Sequence, residues 1–109
     1  MVYLVYHPGG RHMPLEFHGL AVFEPDTGSV RFTGYRPKSS EPVLCHLTRD
    51  AIVLLVKNFD QSPALILRFF DQHADEIREI ASAKYDKGFP QPVVTAKDLI
   101  DRRTRFRTQ

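Results

Sequence analysis

The stretch from Ser62 to Pro90, "SPALILRFFDQHADEIREIASAKYDKGFP", most constrains what this chain can fold into. Ser62 is a good helix N-cap, and Pro63 suits the first helical position, where the missing N–H has no partner to lose. Ile66, Phe69/Phe70, His73/Ala74, Ile77, Ile80/Ala81 and Lys84 recur at steps of three and four residues, so they share one stripe. Arg68, Asp71, Asp75, Glu76, Arg78 and Glu79 occupy the other side. Lys84 and Lys87 stand in the last turn, Gly88 suits the left-handed cap, and Pro90 cannot continue a helix. The spacing predicts one amphipathic helix of about 25 residues, roughly 37 Å long. That is long for a chain of 109 residues. Part of the stripe is therefore expected to pack on a second subunit, which makes a homodimer the expected state.

The remaining segments are read around this helix. A chain of this length supports one domain, and its 42% hydrophobic and 26% charged residues are those of an ordinary globular protein. Residues 1–12 look separate: Val2–Tyr6 has strand composition and "HPGG" then breaks the chain, so this piece is a leader or an extra edge strand. Residues 13–100 form the expected domain. Within it, Pro25-Asp26-Thr27-Gly28 is a turn signal between Leu20–Phe23 and Val30–Tyr35, which predicts a hairpin. The polar loop 36–42 leads to a strand over Val43–Leu47. Thr48 is a good N-cap with Asp50 in the first turn, so Arg49–Lys57 is read as a short helix, although "IVLLV" would also suit a buried strand. Val93–Thr95 is a short edge strand, and Thr95 to Asp98 has capping-box spacing for one or two helical turns. The expected fold class is α+β: an antiparallel sheet of three to four strands, one short helix, and one long amphipathic helix packed across it.

Three places invite a chemical reading. Cys45 and His46 are adjacent in "VLCHLT" and would face opposite sides of a strand, so they cannot act on each other. Cys45 shares its face with Val43 and Leu47, which marks it as core. His73 and Glu76, one helical turn apart, are a candidate polar site, but a lone pair of this kind is a weak metal signal. The third place is the end of the chain. Residues 101–109 hold four arginines against Asp101, a charge of +3; with +2 for the whole chain, −1 remains for residues 1–100. This basic tail offers Arg102, Arg103, Arg105 and Arg107 for phosphates and Phe106 for stacking on a base.

No catalytic residue, metal or cofactor is expected from these patterns. The longest uninterrupted apolar run, Ala51 to Val56, is far short of a membrane span of about 20 residues. A single cysteine forms no internal disulfide, so the cytoplasm is the expected compartment.

Several of these residues together resemble the family of small bacterial proteins known as domain of unknown function 1488. They are Val30-Arg31-Phe32, Val43 to Thr48 followed by Ala51, Phe70, Ile77, Ala81, Lys84-Tyr85, Gly88, Val93-Val94 and Asp98-Leu99. The resemblance covers about residues 15–100; the loop 36–42 looks like an insertion, and residues 1–12 fall outside it. It implies a small α+β fold in a cytoplasmic bacterial or phage-borne protein, and it supplies no activity. The leading expectation is a non-catalytic interaction or regulatory module that acts as a homodimer. An accessory nucleic-acid-binding protein using the tail comes second, and a small enzyme with a site near His73 third.

Overall fold

The structure, a computed structural model, describes residues 14–56 and 62–107, with side chains to Thr104. The piece comprising residues 1–12 lies outside the described residues. Strand β3 (Ser29–Tyr35) organises the sheet, because among the described residues it alone has partners on both edges over most of its length. Two short strands, β1 (Glu16–Phe17) and β2 (Val22–Glu24), lie end to end along one edge of β3, both antiparallel to it. The expected hairpin joins β2 to β3, with Gly28 at φ 69° and its N–H donating to the Glu24 carbonyl at 2.8 Å. On the other edge β4 (Pro42–Leu47) runs antiparallel, pairing Phe32 with Cys45 and Arg31 with His46.

The alternation in these two strands divides the residues cleanly. Val30 and Phe32 of β3, with Val43, Cys45 and Leu47 of β4, are buried on one face. Helices α1 (Arg49–Leu55), α2 (Pro63–Gln72), α3 (Ala74–Asp86) and α4 (Ala96–Arg107) supply Ala51, Ile52, Leu55, Ile66, Phe70, Ala74, Ile77, Ala81 and Leu99 to the same core. The Phe32 and Phe70 rings meet at 5.2 Å and 51°. Caps stand where the sequence places them. Thr48 and Ser62 accept from Ala51 and Leu65, and Gly88 adopts φ 104° just past α3.

Three expectations need correction. Among the described residues the sheet has five strands, not three or four, and it is not purely antiparallel. Strand β5 (Val93–Val94) lies parallel to β4, pairing Val93 with His46 and Val94 with Leu47. The unexpected strand is β1, whose two residues are too short to show alternation; β5 stands at the expected edge position, but parallel. The expected long helix is two helices joined at His73, whose φ −114° and ψ 15° leave the helical region. The His73 N–H donates to the carbonyls of both Phe69 and Phe70, which tightens the last turn of α2. With this joint, Ile66 and Phe70 from α2 and Ala74, Ile77 and Ala81 from α3 are all buried in the chain's own core. The main part of the expected stripe is thus covered within the chain, and the helix length no longer argues for a second subunit.

The third correction concerns the chain end. The capping box at Thr95 forms reciprocally: Asp98 N–H donates to Thr95 Oγ1 at 3.2 Å, and Thr95 N–H donates to Asp98 Oδ2 at 2.9 Å. It opens a helix of 12 residues, not one or two turns, and that helix runs straight through position 101. Residues 101–107 thus continue helix α4. Lys84 anchors the helix start by donating to Asp98 Oδ2 at 2.6 Å and to the Val93 carbonyl at 2.7 Å, so α3, β5 and α4 share one cation.

Candidate functional site

Leu65, Phe69 and His73 follow each other at i, i+4 and i+8 along α2, so they form a second stripe beside the core-facing one. Leu54 and Leu55 of α1 and the following Val56 face this stripe across a groove of about 510 Å³. Arg103 of α4 joins the lining, so among the described residues the groove has five apolar residues and two polar ones, His73 and Arg103. That composition, mostly apolar with a few polar groups, is what small-ligand sites have in common.

An ion cluster stands beside the rim. Glu76 Oε1 lies 4.0 Å from His73 Nδ1 and 3.5 Å from Arg103 Nη2, while its Oε2 lies 3.7 Å from Arg102 Nε. Arg102 Nη2 donates to Glu79 Oε1 at 2.6 Å. The structure therefore unites two candidates that the sequence kept apart: the polar pair His73 and Glu76, and the tail arginines Arg102 and Arg103. The side chains of Arg105, Phe106 and Arg107, the other candidate phosphate contacts, lie outside the described residues. Arg102 and Arg103 face carboxylates of α3, an arrangement that cancels charge locally.

The opening pair of "VLCHLT" is also resolved by geometry. Cys45 is fully buried, its Sγ 3.6 Å from the Val43 carbonyl, and burial pushes its thiol up to about 11. A thiol held protonated at neutral pH is no nucleophile. His46 points to the opposite face, where its Nε2 lies 3.4 Å from Glu24, and Arg31 lies 3.4 Å from the same carboxylate. Among the described residues no three His, Cys, Asp or Glu side chains converge as a metal site.

That opposite face of the sheet carries no helix among the described residues. Around the Glu24, Arg31 and His46 group it exposes Val22 (43%), Leu44 (37%) and Val93 (40%). Sequence reasoning passed over both this face and the groove. Leu65 at i−4 from Phe69 was the available signal for the groove, and Val22, Leu44 and Val93 at outward positions were the signal for the face.

No family model and no curated protein sequence matches the chain. Comparison with solved structures finds a protein of unknown function of the DUF1488 family from Shewanella loihica, at TM-score 0.65 and 16% identity, covering 78% of this chain and 96% of that one. The chain has the fold of this DUF1488 protein. The match agrees with the resemblance carried by the β3, β4 and α3 residues, and it concerns architecture alone. No described helix is long and apolar enough to cross a membrane.

Proposed function

We propose that the protein is a non-catalytic interaction module that pairs weakly with a second copy of itself through the helix-free face of its sheet. The observation that carries this reading is the set Val22, Leu44 and Val93, exposed around a charged group that is already neutralised within the face. Glu24 lies between Arg31 and His46, so covering the face does not strand a lone charge. Sheets pack face to face at about 10 Å, and a two-fold axis brings the same apolar residues together. Four strand positions and up to seven residues give a face of roughly 19 by 23 Å, or about 440 Å² per copy. A standard stable interface buries about 800 Å² per partner, so the expected pair is a weak, concentration-dependent one.

The non-catalytic part of the reading is supported by the chemistry of the candidate groups. The Cys45 thiol is buried and protonated, and Glu76 and Glu79 are held by arginines. An enzyme near His73 would need a free base there, and its nearest carboxylate is shared with two guanidiniums. Nucleic-acid binding through the tail is the weaker alternative for the same reason. A reducing compartment such as the cytoplasm fits a chain whose one cysteine is a packed core residue.

Sedimentation velocity over about 10 μM to 1 mM tests the pairing. Wild type should move from monomer toward dimer across that range, and Leu44→Glu, an exposed change, should hold it monomeric without altering the thermal transition. Wild type that stays monomeric throughout would refute self-pairing.

A further inference from the structure

We infer that the groove between α1, α2 and α4 binds a small monocarboxylate with an extended apolar body, such as an alkanoate or an aryl-alkanoate. This site lies among the helices, on the other side of the sheet from the pairing face, so the two proposals stand or fall separately.

Three observations select that ligand class. The first is the wall: the side chains of Leu54, Leu55, Val56, Leu65 and Phe69 are hydrocarbon and line a space of about 510 Å³, a volume within the usual range of small-molecule sites. The second is the lining's polar chemistry: among the described residues the charged side chain that lines the groove is a guanidinium, Arg103, while its carboxylate partner Glu76 is not in the lining. An apolar body with an anionic end meets hydrocarbon and a guanidinium there. The third observation is how Arg103 is held. Arg102 makes a 2.6 Å bond to Glu79 and is half-buried, but Arg103 reaches Glu76 only at 3.5 Å and is 40% exposed. Arg103 can turn to an incoming carboxylate in a two-pronged contact. Glu76 then still has the Arg102 guanidinium, shared with Glu79, at 3.7 Å.

The groove thus divides recognition into two parts that can be measured apart. Affinity should rise by about fourfold for each methylene buried, until the apolar walls are filled. The carboxylate should add about tenfold over the uncharged alcohol of equal length, the effect of one charge-assisted bond at a partly exposed site.

Hexanoate, octanoate, decanoate, decanol and decylammonium, titrated into the full chain and followed by amide and methyl NMR shifts, form the test. Octanoate and decanoate should give saturable shifts centred on Leu54, Leu55, Leu65 and Phe69, tightening with chain length, with decanol weaker and decylammonium weakest. Arg103→Gln should weaken decanoate about tenfold and leave decanol unchanged, with a native spectrum confirming that the variant is folded. Leu65→Asp should weaken both. The inference fails if decanoate gives no saturable shift at about 1 mM. It also fails if the shifts map to the outer sheet face, if Arg103→Gln leaves decanoate affinity untouched, or if only an acidic amphipathic peptide binds the groove.

Discussion

Removing the Arg102 guanidinium should cost the fold a measurable part of its stability, although the residue falls in a segment whose composition resembles a solvated tail. Its Nη2 bonds Glu79 Oε1 at 2.6 Å and its Nε lies 3.7 Å from Glu76 Oε2, with all three side chains half-buried. A hydrogen bond to a charged partner contributes about 1.5–3 kcal/mol, and partial exposure discounts this toward about 1–2 kcal/mol. Arg102→Ala also leaves Glu76 and Glu79 one turn apart on α3 with only Arg103, 3.5 Å from Glu76, to offset a repulsion of the same sign. For a chain of this size the loss corresponds to a melting temperature lower by roughly 5–10 °C. Arg102→Lys keeps the charge without the planar fork and should fall between the two. Thermal melts of wild type and variants in low salt and about 1 M salt make the assay, and the difference should shrink as the screening length falls to about 3 Å. Truncation after Ile100, which removes Arg103 as well, should cost at least as much. Arg102→Ala melting within about 1 °C of wild type would refute the docking of α4 on α3 and restore the picture of a detached basic tail.

Cys45 should react with a thiol reagent orders of magnitude more slowly in the folded than in the unfolded protein, because it is buried and its thiol titrates near 11; Cys45→Ser should cost about 1–3 kcal/mol through an ill-satisfied buried hydroxyl. Rapid native-state labelling would count against the packed reading. Burial alone would raise the Asp98 carboxyl, but the bonds from Lys84 and from the Thr95 N–H and hydroxyl outweigh it and hold it below the usual range. Its stabilisation should therefore be present above the unfolded value of about 3.9 and disappear as pH falls through the lower folded value. Lys84→Met should narrow that difference, so its stability deficit should be full at neutral pH and close below about pH 4; a deficit constant down to about pH 2 would contradict the linkage.

What the sequence discloses is mostly local chemistry. The caps at Thr48, Ser62, Gly88 and Thr95 depend on one or two neighbours, and each stands where its residue type places it. The burial of Cys45 and the opposite direction of His46 follow from alternation along six consecutive strand residues. The joint at His73 was not legible, because no proline or glycine marks it and the three- and four-residue steps continue across it. Strand β5 was legible as a strand, but its parallel pairing depends on where the helices return the chain.

The ion cluster and the groove show why a site is harder to read than a fold. Asp71, Asp75, Glu76 and Glu79 look alike on the charged side of the helical pattern, yet Asp71 and Asp75 are exposed while Glu76 and Glu79 are half-buried. The difference comes from α4, whose arginines follow Glu76 and Glu79 by some 23 to 27 positions. Neither surface has a fixed character until the other arrives: an acidic helix face and a basic chain end each read as solvent-facing alone and as an interface together. Once they meet, α4 is held where Arg103 borders the stripe of Leu65, Phe69 and His73. The guanidinium that would have served a phosphate-binding tail becomes instead part of the lining of an apolar groove, which shifts the expected ligand from a polyanion to a single carboxylate with hydrocarbon behind it.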